Sequence, residues 1–171
     1  MGILKLSRIL NNGNKKNNKL FYSTGHVNNS LPNIAVSLIP SGSGSMTLRH
    51  QSFVIGTIYQ ILAFGTCDWN DYKSLKIAVK DSIGMHEIVS INIPLSQCDN
   101  IWYFEFDIIV SGLSEITTNG YFRYVRTNGT IFESSNIGGV YTSNQDITID
   151  FLCSLTNGQI RCNVCSLMKI S

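Results

Sequence analysis

The sequence predicts an all-β protein, an antiparallel β-sandwich or barrel that follows an extended N-terminal segment. Strong helix formers are scarce, with three Ala and four Glu among 171 residues. Residues that favour strands and turns, chiefly Ile, Asn, Ser, Thr and Gly, are abundant instead. From about residue 47 onward, apolar and polar residues alternate in short runs separated by turn signals, which is typical of antiparallel β-proteins. With 43% hydrophobic and 14% charged residues, the composition excludes a wholly disordered chain.

The first part of the chain is predicted to be an arm and linker over residues 1–50, and residues 51–171 to be one folded domain. Residues 11–19 are rich in Asn and Lys, and residues 41–45 alternate Ser and Gly, so both stretches are expected to be flexible or extended. Between them, the apolar run 33–39 is bracketed by Pro32 and Pro40. This pattern predicts one edge strand, because proline cannot donate to a β-ladder.

The body is predicted to contain about eight or nine short strands. The clearest is Trp102 to Val110, where Trp102, Phe104, Phe106, Ile108 and Val110 share one face. The others are expected at residues 53–64, 75–80, 87–93, 121–126, 131–133, 146–155 and 159–170. Asn157-Gly158 predicts a hairpin between the last two strands, and Asn119-Gly120 and Asn128-Gly129 predict turns at the two ends of residues 121–126.

Residue types that carry chemistry do not form a catalytic or cofactor-binding pattern in this sequence. The three His are far apart, and no phosphate-binding loop, dinucleotide fingerprint or zinc motif is present. Cys162 and Cys165 are spaced like metal ligands, but on a straight strand that spacing puts the thiols on opposite faces, which favours structural thiols. Residues 68–71 could supply oxygen ligands to calcium, although an Asx-rich turn is the preferred interpretation. We therefore predict no catalytic residues, no metal, no cofactor and no enzyme activity.

Exposed aromatic and acidic residues on strands are the main clue to function. Glu105 and Asp107 lie two residues apart on the face opposite the apolar side, which favours a solvated or subunit-facing role over glycosidase chemistry. The aromatic residues at 103, 121 or 122, 124 and 141 cannot all be core in a sandwich of this size. Exposed aromatics on strands indicate a protein interface or a sugar-stacking surface. The candidate residues for a trimer interface or ligand surface are Tyr103, Glu105, Tyr124 and Tyr141.

The segment from Phe64 to Ile77 resembles a feature of small viral structural domains, in which a Gly-containing turn and an Asn-bearing loop precede a Lys-x-Leu-x-Ile strand. The order downstream is also similar: a strand that starts with Trp102, a Gly-rich corner, residues 121–126 and two C-terminal strands. Residues 51–171 therefore resemble the trimeric jelly-roll domain of phage and viral capsid spikes, head fibres and tail appendages.

The resemblance implies a virion structural protein, a homotrimer anchored to other capsid or appendage proteins through residues 1–50. Ile3, Leu6 and Leu10 form an apolar stripe at near-helical spacing and are the candidate anchoring residues. A host surface glycan is a further candidate partner. Two alternatives remain: a single jelly-roll coat protein that forms the viral shell, and a non-viral carbohydrate-binding module.

Two other partner classes are not expected from the sequence. The net charge is only +2, and the near-neutral body lacks the clustered basic face that nucleic-acid binding requires. No apolar run approaches the 18 or so residues that a membrane span needs.

Overall fold

The computed structural model describes residues 19–24, 27–29, 36–39, 41–68, 73–93, 100–125, 129, 131–137, 139–155 and 159–170. No helix in this part of the chain has the length and apolar character that a membrane crossing requires. A 3₁₀ turn spans His50–Ser52. The strands are β1 Lys19–Ser23, β2 Val27–Asn29, β3 Val36–Ser37, β4 Ser43–Gly44, β5 Thr47–Leu48, β6 Ile58–Asp68, β7 Lys73–Lys80, β8 Met85–Ile93, β9 Asn100–Gly112, β10 Glu115–Val125, β11 Ile131–Ile137, β12 Val140–Thr142, β13 Ile147–Leu155 and β14 Gln159–Lys169.

These strands form two antiparallel sheets that share one core. The large sheet has nine strands in the order β11-β10-β9-β6-β14-β1-β4, with β12 also beside β10 and β2 also beside β14. The small sheet has five strands in the order β3-β13-β7-β8, with β5 also beside β13. The chain changes sheet repeatedly, for example between β6 and β7, between β8 and β9 and between β13 and β14. The predicted fold class, an all-β antiparallel sandwich of jelly-roll type, is confirmed.

The core between the sheets is built on β9, where the predicted alternation is confirmed. Its buried residues are Trp102, Phe104, Phe106, Ile108 and Val110. Phe151 of β13 stacks on Phe104 with a centroid separation of 4.8 Å and meets Trp102 edge-on at 5.8 Å. Aromatic rings therefore join the two sheets, and burial of each such side chain contributes about 1.5–3 kcal/mol.

Gly65 in β6 allows the Trp102 indole to lie against the backbone of two strands. A Cβ at this position would lie 1.7 Å from the Arg161 carbonyl oxygen and 2.8 Å from Trp102 Cε2. The indole Nε1 donates to the same Arg161 oxygen at 3.0 Å and to the Thr66 carbonyl at 3.3 Å. The glycine thus permits a close strand approach that also satisfies the only polar group of this buried ring.

Two of the three Asn-Gly predictions are wrong. β13 pairs with β7 in the small sheet and β14 pairs with β6 in the large sheet, so Asn157-Gly158 does not close a hairpin between them. Each strand has an apolar face, and placing the two strands in opposite sheets lets both faces enter one core. Asn119-Gly120 lies inside β10, opposite Asp107 and Phe106. The third prediction, a hairpin at Asn128-Gly129, is confirmed by the pairing of β10 with β11.

The boundary predicted at residue 50 differs from the strand pairing. β1 pairs with β14, and β5 pairs with β13. Leu38, Met46 and Leu48 are buried in the common core, so the described residues between 19 and 50 belong to the sandwich. The predicted edge strand is present as β3 at the border of the small sheet. Residues 1–18, 25–26, 30–35 and 40 of the predicted arm lie outside the described residues.

Candidate functional site

The outer face of the large sheet carries a group of polar and aromatic side chains, which we call the tyrosine–carboxylate cluster. It consists of Gln60 on β6, of Tyr103, Glu105 and Asp107 on β9, and of Tyr121 on β10. Strand register brings them together, because Gln60 is opposite Asp107 and Tyr121 is opposite Glu105. The residues between them in β9 point into the core, so period-two alternation places the cluster on the outside.

Glu105 is the centre of the cluster. The hydroxyls of Tyr103 and Tyr121 both donate to its Oε2 atom at 2.9 Å, and Gln60 Nε2 donates to its Oε1 atom at 3.2 Å. The two tyrosine rings are 5.8 Å apart between centroids. Burial, with the neighbouring Glu105 charge second, raises the pKa of Tyr103 far above its ordinary range, so this phenol remains a donor at every physiological pH.

Asp107 accepts fewer side-chain hydrogen bonds than Glu105. Gln60 Nε2 donates to its Oδ1 atom at 3.1 Å, in addition to the bond to Glu105. Desolvation by burial and the nearby Glu105 carboxylate raise the pKa of Asp107, whereas the Gln60 bond opposes the shift. Among the described residues, no lysine or arginine forms an ion pair with either carboxylate. Asp107 Oδ2 and Gln60 Oε1 also have no hydrogen-bond donor within that part of the chain.

Apolar side chains surround this polar centre. Leu62 lies on β6 opposite Glu105 and is only 7% exposed, although it faces away from the core. Phe64, Val164 and Met168 on β6 and β14 are half-buried. The outer face of an antiparallel sheet is usually polar and solvated. Here the outer face instead holds a buried aliphatic side chain and two partly buried carboxylates beside half-buried apolar residues.

A second polar cluster lies at one end of the sandwich, around Asp81 in the β7–β8 turn. The Tyr141 hydroxyl donates to the Asp81 carboxylate, and the backbone N–H groups of Ile83 and Gly84 donate to it at 2.8 and 3.1 Å. His86 Nε2 lies 3.3 Å from the same carboxylate. These donors, Tyr141 first, lower the pKa of Asp81 to about 2 despite its desolvation. Burial and the bond to Asp81 raise the pKa of Tyr141 to about 12.

The structure brings together only part of the predicted contact surface. Tyr103 and Glu105 are bonded neighbours in the tyrosine–carboxylate cluster. Tyr141 is on β12, packs against the core and binds Asp81, so it belongs to the other cluster. Tyr124 occupies a β10 position opposite Trp102, and its side chain lies outside the described part. The predicted anchoring residues Ile3, Leu6 and Leu10 also lie outside the described residues.

Sequence reasoning missed Gln60, which links both carboxylates to β6. Its neighbours two residues away, Ile58 and Leu62, are apolar, so the local pattern does not indicate a polar face, and nothing local indicates that this face meets Glu105 and Asp107. That contact depends on the pairing of β6 with β9, two strands separated along the chain by the whole β7–β8 hairpin. Non-local register of this kind has no signature within a single strand.

The prediction that Cys162 and Cys165 lie on opposite faces is wrong. A β-bulge between Cys162 and Val164 shifts the register by one residue, so both thiols are buried. Burial raises the pKa of Cys162 well above its ordinary range and raises that of Cys165 to about 12. Among the described residues, no three His, Cys, Asp or Glu side chains are grouped so that they could hold a metal ion. The candidate calcium loop, residues 68–71, has its side chains outside the described part.

No family model matches this sequence, and no curated protein matches it. Among solved structures, the chain is similar to the CBM2 module of the evolved Dit of Lactobacillus casei BL23 phage J-1. The two chains are 8% identical and superpose with a TM-score of 0.33, over 91% of this chain and 98% of that one.

Proposed function

We propose that this protein is a structural and binding module of a virion, a homotrimeric β-sandwich that decorates a capsid or tail appendage. One observation carries the proposal: the outer face of the large sheet combines a hydrogen-bonded tyrosine–carboxylate cluster with half-buried apolar side chains. A face of this composition is suited to contact with another macromolecule, because its aromatic and apolar side chains gain by further burial. In the proposed arrangement, three copies pack these faces around a threefold axis.

The state of the polar groups favours binding over catalysis. Glu105 already accepts three hydrogen bonds from neighbouring side chains, which leaves it poorly suited to remove a proton from a substrate. The thiols of Cys162 and Cys165 are buried with raised pKa values, so neither is an accessible thiolate nucleophile. The proposal therefore includes no enzymatic activity.

The oligomeric state tests the proposal directly. Size-exclusion chromatography with light scattering should give three times the mass of the chain at micromolar concentration. Phe64→Lys places a charge beside the cluster and should give a monomer, whereas Ser90→Lys places the same charge on an exposed position of the small sheet and should leave the trimer intact. Circular dichroism of both variants checks that they are folded. A wild-type monomer at micromolar concentration would contradict the proposal.

A second candidate function is saccharide binding on the same face. It is favoured by the two acceptors, Asp107 Oδ2 and Gln60 Oε1, that lack protein donors within the described residues, close to two tyrosine rings. Sugar hydroxyls donate to such acceptors while sugar C–H faces stack on aromatic rings. Labelled protein applied to a glycan array should then bind saccharides. Asp107→Asn should weaken this binding, and the control Asp150→Asn, in the small sheet, should leave it unchanged. Binding by a stable monomer would favour this candidate over the trimer.

A further inference from the structure

Two side chains of opposite charge stand far apart on the outer face of the large sheet. Lys19 lies on β1 and Asp107 on β9, and neither forms an ion pair among the described residues. The strands β14 and β6 separate them. Neighbouring strands are about 4.8 Å apart, so the two backbones are about 14 Å from each other and the two charges of one chain cannot meet.

Strand register places Lys19 and Asp107 in one row across the sheet. Lys19 is opposite Met168 on β14, and Gln60 on β6 is opposite both Met168 and Asp107. Hydrogen bonds between antiparallel strands run perpendicular to the strands, so residues of one row stand at about the same height along the strand direction. The two charges therefore lie at one height, on two sides of the same face.

The ring of Tyr22 holds the Lys19 ammonium over this face. Lys19 Nζ lies 3.9 Å from the centre of the Tyr22 ring. Tyr22 follows the core residue Phe21 in β1, so alternation turns its ring to the outside, in the row of Leu62 and Glu105. A tyrosine ring attracts the cation but carries no charge, so Lys19 keeps its full charge for a partner.

Asp107 keeps a negative charge that no nearby cation balances. Among the described residues its side-chain donor is the neutral Gln60 amide, which binds Oδ1 at 3.1 Å and leaves Oδ2 without a donor. Two further basic residues of the outer face stand in other rows, since Arg123 is opposite Tyr103 and Arg161 is opposite Thr66. Within the described part of the large sheet, Lys19 is thus the cation at the height of Asp107.

The surface around this row is apolar. In the adjacent row Ile58 is opposite Ile109, and the Ile170 N–H donates to the Ile58 carbonyl at 2.9 Å. Ile170 and Val140, beside the two ends of that row, are 50% and 62% exposed. Burial of such side chains against a partner stabilises the contact and removes water from the polar groups it surrounds, which strengthens their electrostatic attraction.

Cyclic symmetry relates residues that stand at equal height. In a ring of subunits whose axis runs along the strands, the rotation from one subunit to the next changes no height, so contacts join residues of about the same height. We propose that Lys19 of each subunit forms an ion pair with Asp107 of the partner subunit, with the ammonium donating to the Oδ2 atom. This inference rests on the proposed trimer and adds the contact that sets how its subunits are placed.

A twofold contact between two large sheets is the competing arrangement, and its charges disfavour it. If such a contact is centred on β9, it brings Glu105 and Asp107 of one subunit close to the same carboxylates of the other. Like charges brought together in this way weaken an interface. The ring arrangement instead pairs the acidic side of one face with the basic side of the next.

Charge reversal tests the ion pair on the full-length chain, with the oligomeric mass measured by light scattering over a dilution series. Lys19→Asp and Asp107→Lys should each raise the dissociation constant of the trimer by about tenfold or more, because each places like charges at every contact. The double variant, Lys19→Asp with Asp107→Lys, recreates an opposite pair and should restore the trimer. Raised salt should weaken the wild-type trimer, since it screens the pair.

The matched control is Lys80→Asp, which reverses an exposed charge at the end of β7 in the small sheet and should leave the mass unchanged. Circular dichroism checks that each variant is folded, and Lys19→Asp keeps the test valid if Asp107→Lys does not fold, because Lys19 is exposed. A wild-type monomer contradicts the proposed trimer itself. A wild-type trimer that Lys19→Asp leaves intact, or that the folded double variant fails to restore, overturns the ion pair alone.

Discussion

The bond between Tyr103 and Glu105 offers the sharpest test of the tyrosine–carboxylate cluster. Tyr103→Phe removes one hydroxyl that donates to Glu105 Oε2 at 2.9 Å and leaves the ring in place. A hydrogen bond to a charged acceptor contributes about 1.5–3 kcal/mol when it is buried. Because this cluster is half-exposed, we expect Tyr103→Phe to lower the free energy of unfolding by about 1–1.5 kcal/mol.

A double-mutant cycle isolates this bond from the rest of the cluster. Glu105→Gln keeps the shape of the side chain but removes its charge, so Tyr103→Phe should cost less in that background, with a coupling energy of about 1 kcal/mol. Urea unfolding followed by fluorescence of the buried Trp102 provides each value. A coupling energy below about 0.3 kcal/mol would refute the view that the phenol stabilises the carboxylate charge.

Three further predictions concern stability and thiol reactivity. The pKa of Asp81 falls from its ordinary 3.8 to about 2 in the fold. The stabilisation that Asp81 contributes is therefore complete above its unfolded-state pKa and is lost as the pH falls towards 2. Urea unfolding between pH 4 and pH 2 should show this loss, and Asp81→Asn should remove this pH dependence. Gly65→Ala should lower the free energy of unfolding by about 3 kcal/mol, because the new Cβ would lie 1.7 Å from a carbonyl oxygen. The control Gly112→Ala should lower it by less than about 1 kcal/mol, because the nearest atom to its Cβ, Glu115 Cβ, is 3.2 Å away. Equal losses in the two variants would contradict the packing around Gly65. Iodoacetamide at pH 8 should leave Cys162 and Cys165 unmodified in the native protein and modify both in urea, and rapid labelling of the native thiols in mass spectra would argue against their burial.

The sequence predicts the faces of individual strands well, because side-chain alternation is a local property of the extended chain. The apolar positions of β9 from Trp102 to Val110 are all buried, as their period of two indicates. The prediction at Asn157-Gly158 is wrong because a turn signal does not specify which strands will be hydrogen-bonded, and the one at Asn119-Gly120 is wrong because the pair lies inside β10. Between β13 and β14 the chain crosses from the small sheet to the large one, and the apolar faces of both strands enter the same core.

The contact surface is predictable only in part for a related reason. Tyr103 and Glu105 are two residues apart on one strand, so their proximity follows from β geometry alone. The aromatic character of Tyr141 predicts that it joins them, but β12 pairs with the opposite end of β10 and the Tyr141 hydroxyl donates to Asp81. Gln60 completes the cluster through a register that only the assembled sheet defines.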